Sequence, residues 1–227
     1  MGSDVTFPSN GTDASGYLAP AAGGGPGVLV IQEWWGLVPH IRDVADRFAA
    51  AGFSALVPDL YHGVTTTEPD EAGKLMMSLN LAQAGKDLSG GIDFLVASPE
   101  VTSSNIGVVG FCMGGALALM VATQRPDVVA ACAPYYGTIP YLDPQPDWSK
   151  LGAVIRGQIA SEDTFFTPEK FAELEETLVG LGKDAHFTLH EHTEHAFFND
   201  TRPEVYNAEA SAAAWDDTLA LLRSTLS

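Results

Sequence analysis

Gly110-Phe111-Cys112-Met113-Gly114-Gly115 sets a thiol midway between two glycines, directly after the apolar run Ile106-Gly107-Val108-Val109-Gly110 and directly before an apolar stretch reaching Ala122. A G-x-C-x-G turn between a strand and a helix is a nucleophile elbow with cysteine in the place of serine. So sharp a turn strains its central residue and leaves no room for side chains two positions to either side, which accounts for glycine at 110 and 114. The helix that begins there would aim backbone N–H groups and the positive end of its dipole at the sulfur, favouring thiolate over thiol. The competing reading is a structural cysteine packed in a glycine-rich turn.

An elbow works only with a base and a group that orients the base, in the chain order nucleophile, acid, histidine. Ala160-Ser161-Glu162-Asp163 ends an apolar run from Ala153 to Ile159, and Glu194-His195-Ala196-Phe197-Phe198 follows the run Phe187 to His190. Asp163 is preferred as the orienter over Glu162, and over Asp143 and Asp147, which sit in a Pro-rich loop after a different strand. His195 is preferred as the base. His186, His190 and His192 could share a strand face as a metal cluster, but they straddle the point where the strand frays, and three imidazoles on a polar face need no metal.

These residues require elements that bring them to one edge. Gly27 to Gln32 and Phe53 to Val57 are short, β-branched apolar runs of the kind buried on both faces of a parallel sheet. Between them Ile41, Val44, Ala45 and Phe48 recur at helical spacing, and Gly52 ends that helix. The alternation continues with a helix near Gly85 to Ala97, the strand and helix flanking Cys112, and a strand from Val128 to Ala133. Thr167 caps and Pro168 opens a further helix, and a last one carries Trp215, Leu219, Leu222 and Leu226 on one stripe. The expected architecture is a mostly parallel, doubly wound sheet with helices on both faces, as one domain over residues 1–227. In such sheets ligands bind beyond the carboxyl ends of the strands, where Cys112, Asp163 and His195 fall.

Composition narrows the partners. The 227 residues carry 11 Lys and Arg against 29 Asp and Glu, a net charge of −18, with 46% hydrophobic and 18% charged residues. That field repels phosphate backbones and anionic lipid heads, so neither nucleic acid nor membrane is an expected partner. Two cysteines make no disulfide framework, and the N-terminal residues lack a basic and apolar export signal, so the expected compartment is the cytoplasm. A monomer or homodimer acting on a small molecule is expected.

Gln32-Glu33-Trp34-Trp35-Gly36-Leu37, Pro58-Asp59-Leu60-Tyr61, the cysteine elbow, Asp163 and His195-Ala196-Phe197-Phe198-Asn199 together resemble the dienelactone hydrolase family of α/β-hydrolases, over about Gly27 to Leu226. The resemblance implies an α/β-hydrolase fold without an inserted lid domain, and a Cys-Asp-His triad that opens a lactone or ester with no cofactor and no metal. It also implies that Glu33 lies beside the thiol and helps to activate it. Independently, a carboxylate ending a buried strand is costly unless it is paired or hydrogen-bonded. The backbone N–H groups of Met113 and Trp34 fall where an oxyanion hole belongs, and Trp35 reads as a cleft wall.

The chain departs from the family where a substrate carboxylate would be held. The family's arginine four residues after the histidine is Asn199 here, and residues 65–77 contain Lys74 as their one cation. Asn199 and Arg202 are the remaining candidates for substrate contact, and neutral esters or lactones are the expected substrates. General carboxylesterase or thioesterase action, and a non-catalytic binding module on the same fold, are the alternatives.

Overall fold

The protein is described from a computed structural model, which covers residues 2–9, 11–138 and 145–226. Two strands open the chain, β1 (Ser3–Ser9) and β2 (Thr12–Ala19). They are followed by β3 (Gly25–Ile31), α1 (Pro39–Ala50), β4 (Ser54–Pro58), α2 (Pro69–Ser78) and α3 (Leu81–Ala97). The second half runs β5 (Val101–Phe111), α4 (Met113–Gln124), β6 (Val129–Tyr135), β7 (Val154–Ala160), α5 (Pro168–Gly180), β8 (Ala185–His190) and α6 (Ala208–Thr225). All eight strands join one sheet in the order β1-β2-β4-β3-β5-β6-β7-β8.

From β4 to β8 neighbouring strands are parallel, and β1 and β2 add an antiparallel hairpin to one edge. The central strands are apolar because helices cover both of their faces. α3 packs on α4 on one side, while α1 and α6 meet on the other through Phe48 and Trp215, whose ring centroids are 4.5 Å apart. The expected doubly wound sheet is therefore present.

The hairpin and α2 are additions that the hydrophobic pattern does not announce. In β1 only Phe7 and Ser9 are fully buried, so the strand carries little periodic signal. Helix α2 buries Ala72 alone and holds Gly73 near Trp34. Cys132 is wholly buried in β6, where lack of solvation pushes its thiol far above the ordinary range, so it is a packing residue.

The elbow is positioned by close backbone approach. Cys112 caps α4 with φ 55° and ψ −120°, a conformation that L-residues adopt only under constraint. A Cβ on Gly114 would stand 2.5 Å from the Ile31 carbonyl oxygen and 2.6 Å from that of Gln32, so the start of α4 lies directly against the end of β3. One on Gly110 would overlap the Gly114 carbonyl. The Gly114→Ala variant should lose about 1–3 kcal/mol in urea unfolding, the usual cost of overpacking, together with Cys112 reactivity. Gly180→Ala, at a helix end with open space, should be neutral or stabilising by up to about 1 kcal/mol.

Candidate active site

The carboxyl ends of β3, β5, β7 and β8 deliver Glu33, Cys112, Asp163 and His195 to one edge of the sheet. His195 Nδ1 lies 2.6 Å from Asp163 Oδ2, across 32 residues of sequence. The other carboxylate oxygen of Asp163 accepts from the backbone N–H groups of Phe165 and Phe166 at 2.8 and 2.9 Å. A buried carboxylate with both oxygens engaged is fixed in place, which orients the imidazole Nδ1–H toward it and leaves Nε2 for the nucleophile. The ring is further confined by Tyr136, Phe165 and Phe166, with centroid separations of 5.1, 5.8 and 5.7 Å.

Cys112 is only 8% exposed, and that exposure opens onto a cavity of about 340 Å³. Glu33, Trp34, Trp35, Phe165, His195 and Arg202 are among its walls. Burial pushes the His195 imidazole toward its neutral form. The negative charge of the Cys112 sulfur, with the hydrogen bond and charge of Asp163, outweighs that push and raises its pKa to about 10. His195 is thus held as an imidazolium beside the Cys112 sulfur. No turn, loop or cap hydrogen bond among the described residues uses the backbone N–H of Trp34, which lines the cavity, or of Met113, which opens α4 beside Cys112.

The competing carboxylates stand elsewhere. Glu162 faces His192 at 3.7 Å, Asp147 borders a separate cavity of about 560 Å³ formed by α3, α4 and the segment after residue 144, and Asp143 lies outside the described residues. The three other histidines of this region do not converge. His186 Nδ1 lies 3.1 Å from Glu175 Oε1 and His190 Nε2 lies 2.7 Å from Gln158 Oε1. Among the described residues no group of three or more His, Cys, Asp or Glu side chains could hold a metal ion.

Asn199 departs from its expected place against substrate. It is buried beside Glu33, donating from Nδ2 to Glu33 Oε2 at 2.8 Å, and it is not among the walls of the cavity over Cys112. The reason is a turn: the Thr201 N–H and hydroxyl both donate to Asn199 Oδ1, at 3.1 and 2.6 Å, pinning the amide inward. Arg202 does reach the cavity wall. Its Cζ lies 5.9 Å from the Trp35 ring centroid, and its Nε donates to Glu204 at 2.9 Å. Trp34 and Trp35 meet edge to face at 5.0 Å.

Tyr136 escaped the sequence reading. It follows β6 at the same sheet edge with φ 35°, fully buried, its ring against His195. The signal available was Tyr135-Tyr136-Gly137 directly after an apolar strand, the position from which other strands of this sheet supply site residues.

An eight-stranded, mostly parallel sheet with a strained cysteine between β5 and α4 and a His–Asp pair after β8 and β7 has the architecture of the α/β-hydrolases. Residues 14–226 match the model of the dienelactone hydrolase family, and the chain belongs to that family. It is 34% identical to Protein usf of Aquifex pyrophilus over the whole of both chains. It is 28% identical to carboxymethylenebutenolidase 1 of Cupriavidus pinatubonensis, over 97% of this chain and 95% of that one. The structure of a dienelactone hydrolase-like promiscuous phosphotriesterase, P91, from metagenomic libraries superposes with a TM-score of 0.87 at 21% identity, covering 100% and 99% of the two chains. Among the described residues no helix is long and apolar enough to cross a membrane.

The imidazolium held beside Cys112 has a measurable consequence. Brief iodoacetamide treatment near pH 6.5 should label Cys112 and leave Cys132 untouched. In His195→Gln, labelling of Cys112 should rise only toward the pH at which an ordinary thiol ionises, about 8.5. Peptide mass spectrometry across a pH series reads both outcomes.

Proposed function

We propose that this protein hydrolyses a small ester or lactone through an acyl-cysteine intermediate. The Cys112 thiolate attacks the carbonyl carbon, and the developing oxyanion is met by the N–H groups of Met113 and Trp34. Collapse of that intermediate breaks the carbon–oxygen bond, and the leaving oxygen takes the proton carried by His195 Nε2. His195, now neutral, removes a proton from water as it attacks the thioester. The second collapse releases the carboxylic acid product and restores the thiolate with the imidazolium. Asp163 keeps the histidine in the required tautomer throughout, and Glu33 acts on the thiol from the opposite wall.

The observation that carries this reading is the strained Cys112 backbone at the mouth of a cavity that also contains a His195–Asp163 pair only 2.6 Å apart. Backbone strain of this kind persists where the surrounding structure imposes it, and here it exposes the sulfur to the cavity alone. The relative named carboxymethylenebutenolidase favours a lactone as the cyclic form of the ester. A plain carboxylesterase or thioesterase would use the same residues in the same order, and a substrate panel separates them.

Charge around the cavity favours neutral substrates. Arg202 faces Glu33, Glu162 and Glu194 across the same walls, and Glu204 engages it from behind. An anion entering there meets three carboxylates, while Arg202 is already shared with Glu204 and the His195 imidazolium is engaged by Asp163. Steady-state kinetics on lactones and aryl esters should give a higher kcat/KM for the neutral methyl ester than for its matching free carboxylate, with the gap narrowing as salt is raised. A preference for the carboxylate that Arg202→Ala abolishes would reverse this assignment. In the same assay Cys112→Ala should be inactive. Asp163→Asn should lower kcat by about 10³-fold or more, well beyond the loss in Glu162→Gln.

A further inference from the structure

Glu33 is a buried carboxylate at the end of a buried strand, and its surroundings are unusual in one respect. Its Oε2 accepts from Asn199 Nδ2, while its Oε1 and the Tyr136 hydroxyl are both buried without a hydrogen bond of proper geometry. Two buried polar atoms without partners each forfeit hydration, at a cost that a small rotation making the bond between them would recover. The phenol can only be the donor. Burial, then the charges of Glu33 and Cys112, push the Tyr136 ionisation far above the ordinary range, so it keeps its proton.

The backbone explains why a tyrosine stands there. Tyr136 has φ 35°, in the region that L-residues avoid, and its N–H donates to the Gln158 carbonyl at 2.7 Å. The next residue, Gly137, lies so close to the Cys112 carbonyl that a Cβ there would overlap it. The elbow and the β6 exit therefore lock one another, and the lock aims the Tyr136 ring between Glu33 and His195. The Asn199 amide is equally committed, because its oxygen already accepts two hydrogen bonds from Thr201 and only its nitrogen can face Glu33.

We infer that Asn199 and Tyr136 are positioning residues that clamp Glu33, one donor to each carboxylate oxygen, and hold it aimed at the Cys112 thiol. The inference rests on the proposed role of Glu33 as the carboxylate acting on that thiol. Neither residue lines the cavity over Cys112. Their effect passes through the carboxylate. The other titratable or charged groups facing Glu33 are Cys112 on the elbow and His195, Arg202, Glu162 and Glu194 around the shared cavity.

The test is the acid limb of the kcat/KM profile with a neutral ester, with thermal midpoints recorded in parallel. Glu33→Gln, which cannot ionise, should remove the inflection that Glu33 contributes. Tyr136→Phe removes a single oxygen and keeps the ring, and it should move that inflection up by about one pH unit while leaving KM nearly unchanged, as expected when a carboxylate loses a donor. Asn199→Leu should move it in the same direction, and the double variant further. If Glu33→Gln alters the profile while neither single variant moves it, the clamp is wrong and the role of Glu33 survives. If Glu33→Gln leaves the profile unchanged, the role of Glu33 falls and the clamp with it. A loss of rate that only tracks a falling thermal midpoint, with the inflection unmoved, would mark Tyr136 and Asn199 as packing residues and overturn the inference.

Discussion

The close approach of three backbones at the carboxyl edge of the sheet is the constraint on which the rest of this structure depends. Gly110, Gly114 and Gly137 bring the β5 exit, the first turn of α4 and the β6 exit within distances at which no Cβ fits, against the carbonyls of Gly114, Ile31 and Cys112 respectively. A chain so confined can pass from strand to helix only through a residue with positive φ, and Cys112 occupies that point. The hydrophobic layers of α1, α3, α4 and α6 supply the stability that sustains the strain.

The chemical consequence of that constraint is electrostatic. The elbow presents the sulfur at the N-terminus of α4, within reach of an imidazole that a buried carboxylate holds in place. Burial alone would push the imidazole toward its neutral form. Facing the Cys112 sulfur, with the hydrogen-bonded Asp163 behind it, His195 is instead held protonated, so the site holds a proton donor before substrate arrives. Aromatic rings from Phe165, Phe166 and Tyr136 pack around the imidazole and confine its orientation. The net charge of −18 acts at long range on approaching molecules, while local geometry governs the site.

Much of this was legible in the sequence because strand ends were legible. Buried parallel strands are continuous apolar runs, so the residues directly after them, Glu33, Cys112 and Asp163, could be assigned to one edge without knowing any contact. The His195 loop obeyed the same rule. The β1–β2 hairpin was not legible because an edge hairpin with few buried positions leaves only a faint period-two pattern, and α2 was not because a helix that buries one alanine has no stripe. The partner of Asn199 was not legible for a different reason. Its spacing from His195 suggested a substrate contact, yet its partner is Glu33, 166 residues away, and only the folded turn at Thr201 fixes which way the amide faces. Tyr136 owes its importance to a backbone angle and a neighbouring glycine, which spacing alone does not reveal.

The central claim is that the chemistry passes through a covalent bond to Cys112. Rapid-quench mass spectrometry during turnover of an activated aryl ester measures this directly. A species heavier by the acyl group, mapped to the Cys112 peptide and formed and consumed at rates no slower than kcat, is the predicted result. Full turnover with no acyl group on Cys112 at any quench time, in an enzyme that releases the phenol at the same rate after that thiol is blocked, would contradict it.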